Sequence, residues 1–130
     1  MTTTAVTPMH LSTIGQIAIS VHDVQRALGF YRDVLGMRFL FEAPPHLAFF
    51  DCGGVRLMLS KPERAELEPP GSILYYKVPD IEAAYQSLRE RGVQFEDAPH
   101  LIAKMPDHEL WMTFFKDTEG NLLGLMDEKR

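Results

Sequence analysis

The sequence predicts an α+β fold made of two paired βαβββ modules in one chain. Three observations predict it. The first is an internal repeat: IAISVHDVQRALGFYRDVL (Ile17 to Leu35) lies over LYYKVPDIEAAYQSLRER (Leu74 to Arg91). Val21 meets Val78, Asp23 meets Asp80, Val24 meets Ile81, Ala27 meets Ala84, Leu28 meets Tyr85 and Tyr31 meets Leu88, all at one separation. After a one-residue slip Gly36 meets Gly92 and Phe39 meets Phe95, and Phe49-Phe50 and Gly54 are echoed by Phe114-Phe115 and Gly120. The second is periodicity, because each copy runs from an apolar strand through an acidic cap into a helical stripe. The third is size: 130 residues make one domain, and half of that is marginal alone. The halves therefore share one structure, and two like modules packed together create a cleft lined from both.

The elements follow in order. Ile14 to Val21 alternates apolar with small polar residues and reads as a strand. Asp23 offers an acceptor to the free N–H groups of a helix start, and Val24, Ala27, Leu28 and Tyr31 give that helix its apolar stripe. Gly36 stops it. Arg38 to Glu42 is a strand broken by Pro44-Pro45, Leu47 to Asp51 is the next, and Cys52-Gly53-Gly54 turns into Val55 to Ser60. Residues 61–71, rich in Pro, Glu and Arg, form a linker between module one (14–60) and module two (72–127) of a single domain, 14–130. Ser72 to Val78 repeats the strand, Asp80 the cap, and Ile81, Ala84, Tyr85 and Leu88 the stripe, ended by Gly92. Val93 to Glu96 is read as a strand, Asp97 to His108 as a long loop carrying Pro99 and Pro106, and Glu109 to Phe115 as a strand. The turn DTEGN (Asp117 to Asn121) leads into Leu122 to Met126.

Bulk properties exclude several classes. A formal charge of −5 with no long Lys/Arg run argues against a nucleic-acid partner. No apolar run approaches the ~18 residues of a membrane span. Residues 1–13 lack a basic start and an apolar core, so they read as a polar, flexible leader and not as a secretory signal. One cysteine excludes an internal disulfide and fits a cytoplasmic location.

The two modules, the V-x-D before each helix, FYRDVLG at Phe30 to Gly36 and DTEGNLL at Asp117 to Leu123 together resemble the vicinal oxygen chelate superfamily. That group includes glyoxalase I, bleomycin and fosfomycin resistance proteins, extradiol dioxygenases and methylmalonyl-CoA epimerase. The resemblance spans about Ile14 to Asp127. It implies curved mixed sheets forming a cupped cleft, and a homodimer. It also implies, in metal-dependent members, a divalent ion held by one side chain from the first and one from the last strand of each module.

The resemblance locates those four positions here. The first-strand position lies seven residues before the capping Asp, at Gln16 and, through the repeat, Ile73; the last-strand position follows the turn glycine by four, at Met58 and Gly124. Metal-dependent members carry His, Glu or Gln there. Ile and Gly offer no donor and Met is a poor ligand for hard ions, so the sequence predicts that the usual site and any metal cofactor are absent. Shifting the register by one places only Leu57 or Leu59, and Leu123 or Leu125, at the last-strand positions.

What remains is a cleft. Alternation places Gln16, Ala18 and Ser20 on one face, with Arg56, Met58 and Ser60, with Ile73, Tyr75 and Lys77, and with Leu122, Gly124 and Met126. The opposite faces, Ile17, Ile19 and Val21 with Val55, Leu57 and Leu59, are apolar and predicted to pack on the helices. The predicted ligand-binding residues are Gln16, Ser20, Arg56, Met58, Ile73, Tyr75, Trp111 and Gly124. The acid/base candidates are His108, Glu109 and Tyr75; His108 and Glu109, being adjacent, point to opposite faces. Against these, Arg56 and Lys77 read equally as solvated strand ends, and Trp111 as a core residue. His46, His100 and His108 are the one alternative metal set, with no sequence spacing that gathers them. Cys52 reads as an inert thiol, and Phe49-Phe50 and Phe114-Phe115 each offer one ring to the helices and one to the cleft.

The function expected is binding of a small, aromatic or anionic molecule without metal, in the manner of bleomycin-resistance-like proteins. The alternative is a lyase, isomerase or dioxygenase using a non-standard site, and a third is a purely structural or regulatory interaction module. The ligand itself is not legible in the residues.

Overall fold

The structure is a computed structural model that describes residues 14–62 and 72–130; the expected leader and residues 63–71 of the expected linker lie outside the described residues. Module one runs β1 (Gln16–Ser20), α1 (Val24–Gly29) with a π-helical turn (Phe30–Val34), β2 (Arg38–Ala43), β3 (Leu47–Cys52) and β4 (Val55–Ser60). Module two runs β5 (Leu74–Lys77), α2 (Ile81–Glu90), β6 (His100–Lys104), β7 (Glu109–Lys116) and β8 (Leu122–Lys129). Each builds a four-stranded mixed sheet in the same order, β1-β4-β3-β2 and β5-β8-β7-β6, with its first and last strands parallel.

The helix starts are set by their caps. Asp23 Oδ1 accepts from Arg26 N at 3.0 Å and Asp80 Oδ1 from Ala83 N at 3.1 Å, each satisfying a donor that the helix cannot. Both helices stop at a glycine in the left-handed region, Gly36 at φ 70° and Gly92 at φ 94°, where a side chain would be strained. The first helix ends in a π-helical turn, with Leu35 N donating to Phe30 O at 3.0 Å.

Strand alternation then decides what is buried. Ile17, Ile19, Val21, Leu57 and Leu59 enter the core, as their period predicted, together with Leu28, Tyr31 and Phe50. The same cluster contains Ile81, Phe115, Leu123 and Leu125, so the modules share one core through their helix sides. Among the described residues no strand of one sheet is hydrogen-bonded to a strand of the other. Among the described residues no helix is long and apolar enough to cross a membrane.

The structure corrects module two in one region. Val93 to Glu96 is not a strand; it is irregular, touching the sheet through one bridge, Phe95 to Phe115. The fourth strand is β6, inside the predicted loop. The prolines bracket it without breaking it, because it lies at the sheet edge and neither proline falls within the ladder. The edge strands β2 and β6 carry matching irregularities, at Leu40 and Ile102, which set those side chains outward.

Candidate functional site

The sheet faces away from the helices carry most of the predicted site residues; Trp111 and Glu109 are not among them. On the first sheet the parallel register sets Gln16 beside Arg56 and Ala18 beside Met58, and Gln16 Nε2 lies 3.8 Å from Met58 Sδ. Met58 is paired with Phe49, whose ring stacks on Phe41 at 4.6 Å between centroids. The Arg56 guanidinium lies 5.6 Å from the Phe49 ring centre. Ser20 ends β1, and its carbonyl accepts from Asn121 Nδ2 at 3.3 Å, so it is tied to the junction between modules.

On the second sheet Tyr75 stands beside Gly124 in the parallel register, and Phe114 faces Gly124 across the antiparallel one. The Tyr75 ring lies over the glycine: a Cβ there would sit 2.8 Å from Tyr75 Cδ2 and 3.1 Å from Phe114 Cε1. Tyr75 and Phe114 meet edge to face at 5.8 Å. Ile73 precedes β5 and is exposed. The structure thus brings Gln16 to Met58, and Tyr75 to Gly124, as two separate pairs on two separate sheets.

These residues do not fit a divalent ion. Gln16 contributes an amide, Met58 a thioether, Ile73 and Gly124 no donor, and the space over Gly124 holds an aromatic ring. The alternative set does not assemble either. His46 lies between β2 and β3 with its carbonyl accepting from Lys61 N, His100 lies on β6 with Nδ1 3.0 Å from Ala98 O, and His108 lies in the β6–β7 hairpin. Among the described residues no three His, Cys, Asp or Glu side chains gather to hold an ion.

Trp111 is placed on the other side of its sheet from Tyr75. It packs against the shared core, its indole Nε1 donates to Glu109 Oε1 at 3.1 Å, and Lys129 Nζ lies 4.7 Å from its ring centre. The alternation along β7 was legible; the side that faces the helices was not, until Thr113 and Phe115 of the same parity proved buried. The acid/base candidates are dispersed. Glu109 is with Trp111, and Tyr75 is with Gly124. His108 Nδ1 lies 2.7 Å from Asp107 Oδ1, with Nε2 3.9 Å from Glu128 Oε2.

That histidine belongs to a charge cluster that sequence reading missed. Lys77 Nζ lies 2.9 Å from Glu128 Oε1, and Arg130 Nη1 lies 2.8 Å from Asp107 Oδ2. Hydrogen bonds from Arg130 and then His108 hold the Asp107 carboxyl down to about 2. Lys77 is therefore spoken for, whereas Arg56 has no carboxylate partner among the described residues. Burial, with Asp51 alongside, pushes the Cys52 thiol up, away from the reactive thiolate.

Known proteins share this architecture. The model of the Glyoxalase/Bleomycin resistance protein/Dioxygenase superfamily matches residues 13–125. An uncharacterised protein, YraH of Bacillus subtilis (strain 168), is 31% identical, over 83% of this chain and 92% of its own. A solved member of the same superfamily from Sphaerobacter thermophilus is 28% identical with a TM-score of 0.75, covering 91% of this chain and 98% of that one. A lactoylglutathione lyase from Agrobacterium tumefaciens shares the fold, with a TM-score of 0.71 at 22% identity over 89% of this chain and 93% of its own.

Proposed function

The chain belongs to the Glyoxalase/Bleomycin resistance protein/Dioxygenase superfamily, and from that premise we propose that it binds a small, partly aromatic molecule on the outward faces of its sheets, without a metal ion. The observation that carries this reading is the Tyr75 ring lying on Gly124. A coordinating side chain there would need the space the ring takes, and what the ring offers instead is a flat, polarisable surface with an edge-on neighbour in Phe114. Gln16, Ser20, Arg56 and Met58 line the first face, and Ile73, Tyr75 and Gly124 the second. Arg56, held over Phe49 with no carboxylate within ion-pair distance among the described residues, is the group to meet an anionic substituent.

A second copy of the chain completes the cleft in this reading. One chain buries its helix sides together, which leaves Phe41 (45% exposed), Ile73 (42%) and Tyr75 (45%) uncovered on the outward faces. Laying the first-module face of one protomer against the second-module face of its partner encloses a site from both sheets. The proposal places the protein in the cytoplasm, in keeping with its single, unpaired Cys52.

The test is a thermal-shift screen of small aromatic acids and their neutral isosteres, with light scattering in parallel. Aromatic acids that stabilise the wild type, lose their effect in Tyr75→Ala and weaken in Arg56→Gln support the reading. A monomer with no responsive ligand, or one metal per purified chain, sinks it.

A further inference from the structure

We propose a second ligand site at the seam between the modules, on the helix side, that takes a small amphipathic carboxylate. A cavity of about 270 Å³ opens there. Leu35 and Met37 of module one face Val78, Ala84 and Leu88 of module two across it, over the buried ring of Phe115. Leu125, which also lines it, is the neighbour of Gly124 on β8 and points to the opposite face of the sheet. The seam cavity and the Tyr75 face are thus separated by the thickness of the second sheet, and a ligand in one does not touch the other.

The chemistry of the lining selects the ligand. Apart from the hydroxyls of Ser87 and Tyr76, the latter buried without a partner, its walls are apolar; its one charged group is Arg91, and among the described residues no carboxylate lines it. Arg91 is exposed at the end of α2. Its Nη1 donates to the carbonyl of Val34 at 2.8 Å, which fixes the guanidinium across the seam. The remaining N–H donors of the guanidinium have no protein partner among the described residues, and a planar fork with free donors matches a carboxylate. Ser87 adds a hydroxyl beside it. An anionic head at Arg91 with an apolar tail inward satisfies both the charge and the walls, whereas an amine of equal length sets like charges together. At the ~30 Å³ that one water takes up, the cavity holds roughly nine non-hydrogen atoms. That matches a chain of about eight carbons, its carboxylate at the exposed Arg91, or a single ring.

Because the ligand touches both modules, it ties them together, and its binding raises the stability of the whole chain. Calorimetric titration of the full chain with sodium octanoate, octylammonium chloride and octan-1-ol tests the site. One octanoate binds per chain, octylammonium does not, and Arg91→Gln weakens octanoate about tenfold, to the level of the alcohol. Ala84→Phe fills the cavity and abolishes binding, while Tyr75→Ala, on the other face, leaves it unchanged. Arg91→Gln, at an exposed position, carries the test alone should Ala84→Phe fail to fold. The proposal falls if octanoate does not bind, if octylammonium binds as well, or if Tyr75→Ala removes binding that Ala84→Phe retains. It falls too if Ala84→Phe alters the oligomeric state, which would make the seam an interface between copies.

Discussion

The Tyr31 hydroxyl donates to Asp117 Oδ2 at 2.8 Å, joining the first helix of module one to the turn before the last strand of module two. Asp117 also accepts from the backbone N–H groups of Glu119 and Asn121 and from Asn121 Nδ2. Asn121 Nδ2 and Glu119 reach back to module one, to the Ser20 carbonyl and to the His22 and Asp23 amides. The DTEGN turn is a clamp between modules. Burial, with the Asp117 charge beside it, pushes the Tyr31 phenol far up, so it stays a donor at any working pH. Tyr31→Phe leaves a buried carboxylate one donor short and is expected to cost about 1–3 kcal/mol in urea unfolding with an unchanged slope. A neutral result would mean that water replaces the hydroxyl.

The repeat, both helices and seven of the eight strands were legible because each rests on local chemistry: a cap, a period or a glycine. What escaped rests on tertiary placement. β6 was hidden because an edge strand pairs on one side only and needs no strong period, so HLIAK between two prolines reads as loop. Asp127 was missed as a structural acceptor. Its Oδ2 takes the Ile81 amide at 3.0 Å because β8 runs past Met126 and carries Asp127 to the start of α2. The faces of the site residues followed from alternation for Gln16, Met58, Tyr75 and Gly124. Trp111 needed the fold to decide its side. That the Tyr75 ring covers Gly124 is a matter of ångströms that no spacing encodes.

Gly124 is expected to tolerate no side chain while Tyr75 is present. The added methyl of Gly124→Ala meets ring carbons at 2.8 and 3.1 Å, and is expected to cost about 1–3 kcal/mol in unfolding experiments. In a Tyr75→Ala background the same change costs less, and the coupling in the double-mutant cycle measures the ring's hold on the position. Equal costs in both backgrounds would show that the ring does not occupy that space.

Asp107 gives a prediction in pH. Its carboxyl is held down to about 2, against an ordinary 3.8, by Arg130 first and His108 second. A lowered folded value means that the pairing contributes above the unfolded value and is lost as pH falls from about 4 toward 2. The carboxylate is solvent-exposed, so the effect belongs to the local cluster more than to global stability. An NMR titration is expected to find the Asp107 midpoint near 2 in the wild type and higher, toward 3.8, in Arg130→Gln. A wild-type midpoint already at 3.8 would remove the cluster from the structure in solution.

Metal response separates the binding reading from the enzymatic one. A ligand that binds only the folded chain raises its stability by RT ln(1 + [L]/Kd), so a functional divalent site gives a clear thermal shift at concentrations well above Kd. Protein sites hold a transition ion with three or four nitrogen, oxygen or thiolate donors, and here Gln16 and Met58 supply one amide and one thioether, with Ile73 and Gly124 supplying none. Ni, Zn, Mn and Fe are therefore expected to leave the unfolding temperature where EDTA leaves it, with far less than one metal per purified chain by elemental analysis. One equivalent of metal, together with a shift lost in Gln16→Ala, would give Gln16 partners outside the four positions. The sheet faces would then have to be read as a catalytic centre.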